Sequence, residues 1–177
     1  ASSPGAIEDA AGRARRAHRL VLLLDYDGTL VRFAATPDLG RPDAALAELL
    51  RALAARPRTE VHILSGRVRA TLDRWFDAVP VGLHAEHGYW SKVTPGGAWI
   101  QVGHAGPETP WMERVASILD EFADRTPGSL VERKTASLAW HWRMADPEFG
   151  AIQANELRLH LTEILSNAPV AVLGGDR

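Results

Sequence analysis

A short apolar run, Leu20-Val21-Leu22-Leu23-Leu24, ends directly on Asp25-Tyr26-Asp27-Gly28-Thr29, and few folds accommodate that join. A continuous apolar run of this length suits a strand covered on both faces of a parallel sheet. Two carboxylates at i and i+2 on an extended strand end project to the same side. In open α/β sheets that end faces the crevice where ligands bind. Gly28 lets the chain turn away without a Cβ clash. An Asp-Gly turn after a strand is common and purely structural in most proteins. Here the apolar run, the spaced acids and Thr29 two residues beyond Asp27 point to chemistry instead. One carboxylate can attack phosphorus to form an aspartyl-phosphate, and the other can give and take a proton. Both are hard oxygen donors suited to Mg²⁺.

The next segments repeat the strand-then-helix rhythm. Pro42 and Asp43 open a helix with a Leu46, Leu49, Leu50, Leu53 stripe. Val61–Leu64 is a second apolar run, followed by Ser65-Gly66-Arg67 and a helical stretch to about Phe76; Val81–Leu83 is a third run. Strand, helix, strand, helix, strand predicts βαβ units in a doubly wound sheet. A Ser-Gly turn opening a helix offers a hydroxyl and backbone N–H groups to a phosphate, although alone it is more often only a cap. Arg67 could contact the phosphate or lie on the surface, with a structural or indirect role slightly favoured, and His84 and His87, each a lone histidine at a strand end, are more often local hydrogen-bond partners than ligands.

After Gly88 the pattern changes to α+β. Tyr89–Val93 and Trp99–Val102 flank Pro-Gly-Gly as a hairpin, and Gly103–Pro110 reads as a linker. Val115, Ile118, Leu119 and Phe122 mark a helix; Ala154, Leu157, Leu161, Ile164 and Leu165 mark another. Between them Ser129–Arg143 reads as a second hairpin, and Val170–Leu173 as a last strand. If Thr135-Ala136 is the two-residue turn, Lys134 faces Ser137 and Glu132 faces Ala139. Period-2 alternation then gathers Glu132, Lys134, His141 and Arg143 on one face, with Val131, Leu138, Trp140 and Trp142 on the other. Such a polar face suits sugar hydroxyls, or is simply solvated.

Composition narrows the class. With 46% hydrophobic and 24% charged residues the 177-residue chain suits a folded globule. A net charge of -2 gives no pull towards nucleic acid or an anionic membrane. The absence of cysteine rules out disulfide and thiolate chemistry. No apolar stretch near the N-terminus is long enough for a span or a signal core, so a cytoplasmic protein is expected. The basic segment Gly12–Arg19 lacks interleaved aromatics and reads as a solvated helix face.

Asp-Tyr-Asp-Gly-Thr resembles the first motif of haloacid dehalogenase phosphatases, with Ser65 in the place of their second. Ala85-Glu86-His87-Gly88, Thr126-Pro127-Gly128-Ser129, Glu132-Arg133-Lys134, Ser137–Arg143 and Ala145-Asp146-Pro147-Glu148 are similar to segments of trehalose-6-phosphate phosphatases, and closest to the phosphatase half of bifunctional synthase/phosphatase proteins. The resemblance runs from about Val21 to the last residue. It implies a haloacid dehalogenase-like Rossmannoid α/β core over residues 1–104, partial, with an inserted α+β cap over 105–177. It implies Mg²⁺-dependent hydrolysis of trehalose-6-phosphate, with Asp25 and Asp27 catalytic and metal-binding, and Ser65, Gly66 and Thr29 holding phosphate. Glu132, Lys134, His141, Arg143, Glu86 and His87 would contact the sugar, and a trehalose-phosphate synthase domain is the implied partner. Family members continue with a Lys that steadies the phosphate and an acidic Gly-Asp-Asp motif; Gly174-Gly175-Asp176 is not that motif. The chain is thus expected to be C-terminally truncated relative to the family and nearly inactive by itself. Rival readings are a phosphatase for another sugar phosphate, such as sucrose phosphate, and a non-catalytic module that binds a synthase or a sugar phosphate.

Overall fold

The computed structural model describes residues 4–33, 37–102 and 110–174. The chain divides into two compact units, Ala1–Gly103 and His104–Arg177. The expected linker Gly103–Pro110 falls outside the described residues apart from Pro110, as do the residues after Gly174. No helix among the described residues is long and apolar enough to cross a membrane.

The first unit contains helix α1 (Pro4–Arg16), strand β1 (Leu20–Asp25), helix α2 (Ala44–Ala54), β2 (Thr59–Leu64), helix α3 (Arg69–Phe76), β3 (Gly82–Ala85), β4 (Trp90–Lys92) and β5 (Ile100–Gln101). They form one sheet in the order β1-β2-β3-β4-β5. The first three strands are parallel, and β4 and β5 turn back antiparallel. The register pairs Asp25 with Leu64 and Leu64 with His84, so the three parallel strands end in one row. Helix α2 begins where Asp43 accepts a 2.8 Å hydrogen bond from Leu46 N, satisfying one of the donors left open at a helix start. Leu50, Ile63, Leu72 and Leu83 are almost fully buried beneath the helices and, with Trp75 and Phe76, make the core.

Two expectations about this core need correction. The β1 run is not covered on both faces: burial alternates along it, and Leu23 is 64% exposed. Its partner-facing side packs through Leu22 and Leu24, while Val21 and Leu23 share the other face, where β1 is the edge strand among those described. In α2, Leu49 is 54% exposed; the stripe that packs is Leu46, Leu50 and Leu53.

Polar pins cross the sheet as well. His62 Nδ1 lies 3.1 Å from His84 Nε2, and His84 Nδ1 lies 2.9 Å from Ser91 Oγ, tying β2, β3 and β4. Burial, and then the neighbouring His62, hold the His84 imidazole below its ordinary pKa. Asp73 of α3 binds Lys92 of β4 and accepts a 2.8 Å bond from Trp99 Nε1, which fastens the β4–β5 hairpin to that helix.

The second unit comprises helix α4 (Pro110–Arg125), β6 (Leu130–Arg133), β7 (Leu138–His141) and helix α5 (Pro147–Ile164). The hairpin has the expected register: Glu132 pairs with Ala139, and Lys134 N donates to Ser137 O at 2.9 Å. Val115, Leu119 and Phe122 of α4 pack with Leu157 and Leu161 of α5, and Val131, Leu138 and Trp140 close the hairpin onto them. Asp146 caps α5 by accepting from Phe149 N at 2.8 Å, with Pro147 at the first helical position. The last expected strand, Val170–Leu173, is not formed. Val170 N bonds locally to Ala168 O, residues 170–174 have no ladder partner among the described residues, and Leu173 is 85% exposed.

Between α4 and β6, Gly128 has φ +88°, and a Cβ there would strike the Met144 backbone. Gly96, in the β4–β5 loop, has φ +70° with open space around it. Both positions favour glycine, but only one is also sterically closed. Gly96→Ala is expected to cost about 1–2 kcal/mol and Gly128→Ala about 1–3 kcal/mol more, the range for overpacking. Chemical denaturation of the two variants checks this; equal losses would contradict the packing of the 126–129 turn against Met144.

Candidate active site

Asp25 closes β1 with its side chain exposed, and Thr29 Oγ1 donates to Asp25 Oδ2 at 2.8 Å. The turn that brings Thr29 back is tight. Tyr26 O accepts from Leu30 N at 3.0 Å and from Val31 N at 3.1 Å, and Gly28 N donates to Val31 O at 2.8 Å. Gly28 has φ +88° with the Phe33 ring against its α-carbon, so a side chain there would be both strained and blocked.

Tyr26, between the two acids, is fully buried. Its ring packs 5.8 Å from Trp75 and 5.6 Å, edge-on, from Phe76, and its hydroxyl donates to Gly40 O at 2.6 Å. Burial pushes the phenol pKa far up, so it stays a neutral donor. Anchoring this residue in the core leaves the flanking Asp25 and Asp27 on the opposite side of the chain.

Asp27 is held from the next strand end. Ser65 Oγ donates to Asp27 Oδ2 at 3.3 Å; Arg67 Nε donates to the same oxygen at 3.2 Å, and Arg67 Nη2 to Oδ1 at 2.6 Å. The sequence offered no signal for this fork, because it depends on where β1 and β2 end relative to one another. The guanidinium also lies 4.6 Å over the Trp75 ring and 5.9 Å from that of Tyr26, contacts favourable for a cation.

The phosphate cradle expected at Ser65-Gly66-Arg67 differs in detail. Helix α3 begins only at Arg69, after Val68, and has no side-chain cap. Ser65 Oγ instead accepts from Arg67 N at 3.2 Å, a local turn that delays the helix. The Ala85–Gly88 segment latches onto this turn: Glu86 N donates to Arg67 O and His87 N to Ser65 O, both at 3.0 Å. Glu86, His87 and Gly88 all have positive φ, at 51°, 58° and 89°, a strained run for two non-glycine residues. The His87 imidazole rests on Gly66, where a Cβ would come within 2.6 Å of the ring. Glu86 is buried. The structure thus places both residues against the Ser65 turn.

In the second unit, Glu132 Oε2 lies 2.9 Å from His141 Nε2 and 3.4 Å from Lys134 Nζ. Burial alone would raise the Glu132 pKa; the bond from His141 and the Lys134 charge outweigh it and hold the carboxylate below its ordinary range. Arg143 lies beyond the end of β7. The opposite face faces the helices: Trp140 meets Phe122 edge-on at 6.4 Å, and Arg133 pairs with Asp120 at 2.6 Å. Among the described residues no group of three or more His, Asp or Glu side chains is arranged as a metal site.

The trehalose-phosphatase family model matches residues 23–177. The chain is 43% identical over 162 residues to a bifunctional trehalose-6-phosphate synthase/phosphatase of Thermoproteus tenax, covering 92% of this chain and 22% of that protein. It is 40% identical over 163 residues to a trehalose-phosphatase of Zygosaccharomyces rouxii, covering 91% of this chain and 18% of that protein. It thus spans about a fifth of the length of these curated relatives. Among solved structures, the C-terminal domain of C. albicans trehalose-6-phosphate phosphatase superposes with a TM-score of 0.85 at 34% identity, over 93% of this chain and 57% of that one. The α/β core is accordingly haloacid dehalogenase-like. With the family model spanning the chain from the middle of β1 onward, and with relatives well above 30% identity along nine-tenths of it, this chain belongs to the trehalose-phosphatase family.

Proposed function

We propose that this chain carries a phosphatase site for trehalose-6-phosphate, working through an aspartyl-phosphate on Asp25. The observation that carries the reading is a pair of carboxylates at the β1 terminus, each braced by a different donor set. Asp25 Oδ2 is engaged by Thr29, which leaves Oδ1 to attack phosphorus in line as the sugar oxygen departs. Asp27 protonates that oxygen, then takes a proton from the water that attacks the phosphorus of the aspartyl-phosphate. Each step conserves the proton: it passes from Asp27 to the sugar and returns from water. Ser65, Gly66 and Thr29 border the phosphoryl position; Ser65 and Thr29 can donate to it only by turning their hydroxyl protons away from Asp27 and Asp25.

Mg²⁺ suits the hard oxygen donors of Asp25 and Asp27. The exposed Asp25 carboxylate fits best, because Asp27 shares its oxygens with Arg67 and Ser65. When bound, the ion would offset charge on the phosphoryl oxygens. The Glu132, Lys134 and His141 cluster, with Arg143, reads as the sugar-selecting surface, and Glu86 and His87 support the phosphate turn. The name of the Thermoproteus tenax relative supports reading a trehalose-phosphate synthase, in the same protein or a partner, as the source of the substrate.

Phosphate release from trehalose-6-phosphate by the intact protein is expected to require Mg²⁺ and to disappear in Asp25→Asn. Asp27→Asn should be severely impaired. Full activity in excess chelator or in Asp25→Asn would refute the mechanism. Glu132→Ala and Lys134→Ala are each expected to lower kcat/KM for trehalose-6-phosphate about 10- to 100-fold, the effect of losing a bond worth about 1–3 kcal/mol. Activity on p-nitrophenyl phosphate should fall far less. Equal losses on both substrates would assign these residues to folding.

A further inference from the structure

Arg67 is better placed to hold Asp27 than to meet a phosphate. Its side chain is only 11% exposed. Its two donor atoms, Nε and Nη2, reach both oxygens of one carboxylate, the bidentate geometry that fixes a carboxylate's plane as well as its position. Trp75 covers the guanidinium at 4.6 Å, and the Gly40 backbone lies so close that a Cβ there would overlap Nη2. Gly40 is itself fixed by the Tyr26 hydroxyl. To grip a phosphate, the guanidinium would have to abandon both the carboxylate and its aromatic seat.

We propose that Arg67 is the positioning residue for Asp27: a cation walled in by Trp75, Tyr26 and Gly40 that sets the direction in which the Asp27 carboxylate faces the reacting oxygen. The inference rests on the proposed phosphatase reading for its catalytic meaning and on the geometry alone for the positioning. Asp27 serves two successive proton transfers at nearly the same point. A side chain with two free torsions gains from being fixed there, since displacement of a catalytic group by about 1 Å can cost about 100-fold in rate.

The test uses the intact protein with Arg67→Ala and Arg67→Lys. Arg67→Ala is expected to lower kcat on trehalose-6-phosphate about 100-fold while KM stays within about threefold, and millimolar guanidinium should restore part of the loss. Placed in an Asp27→Asn background, it should cost less than about threefold more, because two residues acting through one group are not additive. A raised KM with unchanged kcat, or a full independent loss in the Asp27→Asn background, would make Arg67 a phosphate ligand and overturn the proposal. Should Arg67→Ala fail to fold, Arg67→Lys keeps the charge and the aliphatic stem but not the fork; an unchanged kcat in that variant equally overturns it. A crystal structure of Arg67→Lys supplies a readout free of activity, with the Asp27 carboxylate expected to rotate away from Ser65. Rotation in a protein whose wild type releases no phosphate would sink the phosphatase reading and sustain the positioning role. An unmoved Asp27 would sink the positioning role whatever the activity.

Discussion

Parallel pairing of β1 with β2 brings Asp25 level with Leu64, and one further bond, Tyr26 N to Leu64 O at 3.0 Å, carries the alignment past the strand end. Asp27 and the Ser65–Arg67 turn come into reach of one another through that alignment. A slip of one residue would turn Tyr26 out of the core and an acid into it. The slip is opposed by the burial of a whole tyrosine ring between Trp75 and Phe76, together with the loss of its hydroxyl bond to Gly40. Burying an aromatic side chain of this kind is worth about 1.5–3 kcal/mol, more than any single ion pair on the surface of this unit.

The site therefore depends on residues that do no chemistry. Tyr26 points the acids outward, Trp75 seats Arg67, and Arg67 holds Asp27. The strained Glu86–Gly88 run spends its backbone donors on the Ser65 turn instead of on a regular helix or strand. Strain of that kind persists only where neighbours over-determine the conformation, and the two backbone bonds donated to Arg67 O and Ser65 O do so here. The hairpin of the second unit follows a parallel logic on a smaller scale: apolar residues fasten one face to two helices, and the opposite face is left to a hydrogen-bonded Glu–Lys–His group.

What could be read from the sequence was whatever depends on local pattern. The strand ahead of Asp25, the Asp43 helix start, and the pairing of Glu132 with Ala139 follow from periodicity, capping and a two-residue turn. Leu23 and Leu49 were misplaced because an apolar residue states a preference for burial, not which neighbours will cover it. Val170–Leu173 has strand-like composition but no partner edge among the described residues. Ser65 was expected to open a helix, yet its hydroxyl satisfies Arg67 N and the helix starts four residues later. The Arg67 fork and the His62–His84–Ser91 chain were invisible for a shared reason: each joins residues many positions apart, and only the register of the sheet brings them together.

The proposed mechanism requires a covalent bond between Asp25 and phosphorus, and trapping that bond probes it at the reacting atom. The intact protein would be mixed with trehalose-6-phosphate and Mg²⁺, quenched in acid during turnover, reduced with borohydride and mapped by peptide mass spectrometry. Reduction of an aspartyl-phosphate converts the residue to homoserine; that conversion is expected at Asp25, dependent on substrate and absent at Asp27. Turnover without modification of Asp25, or modification at another residue, would contradict it.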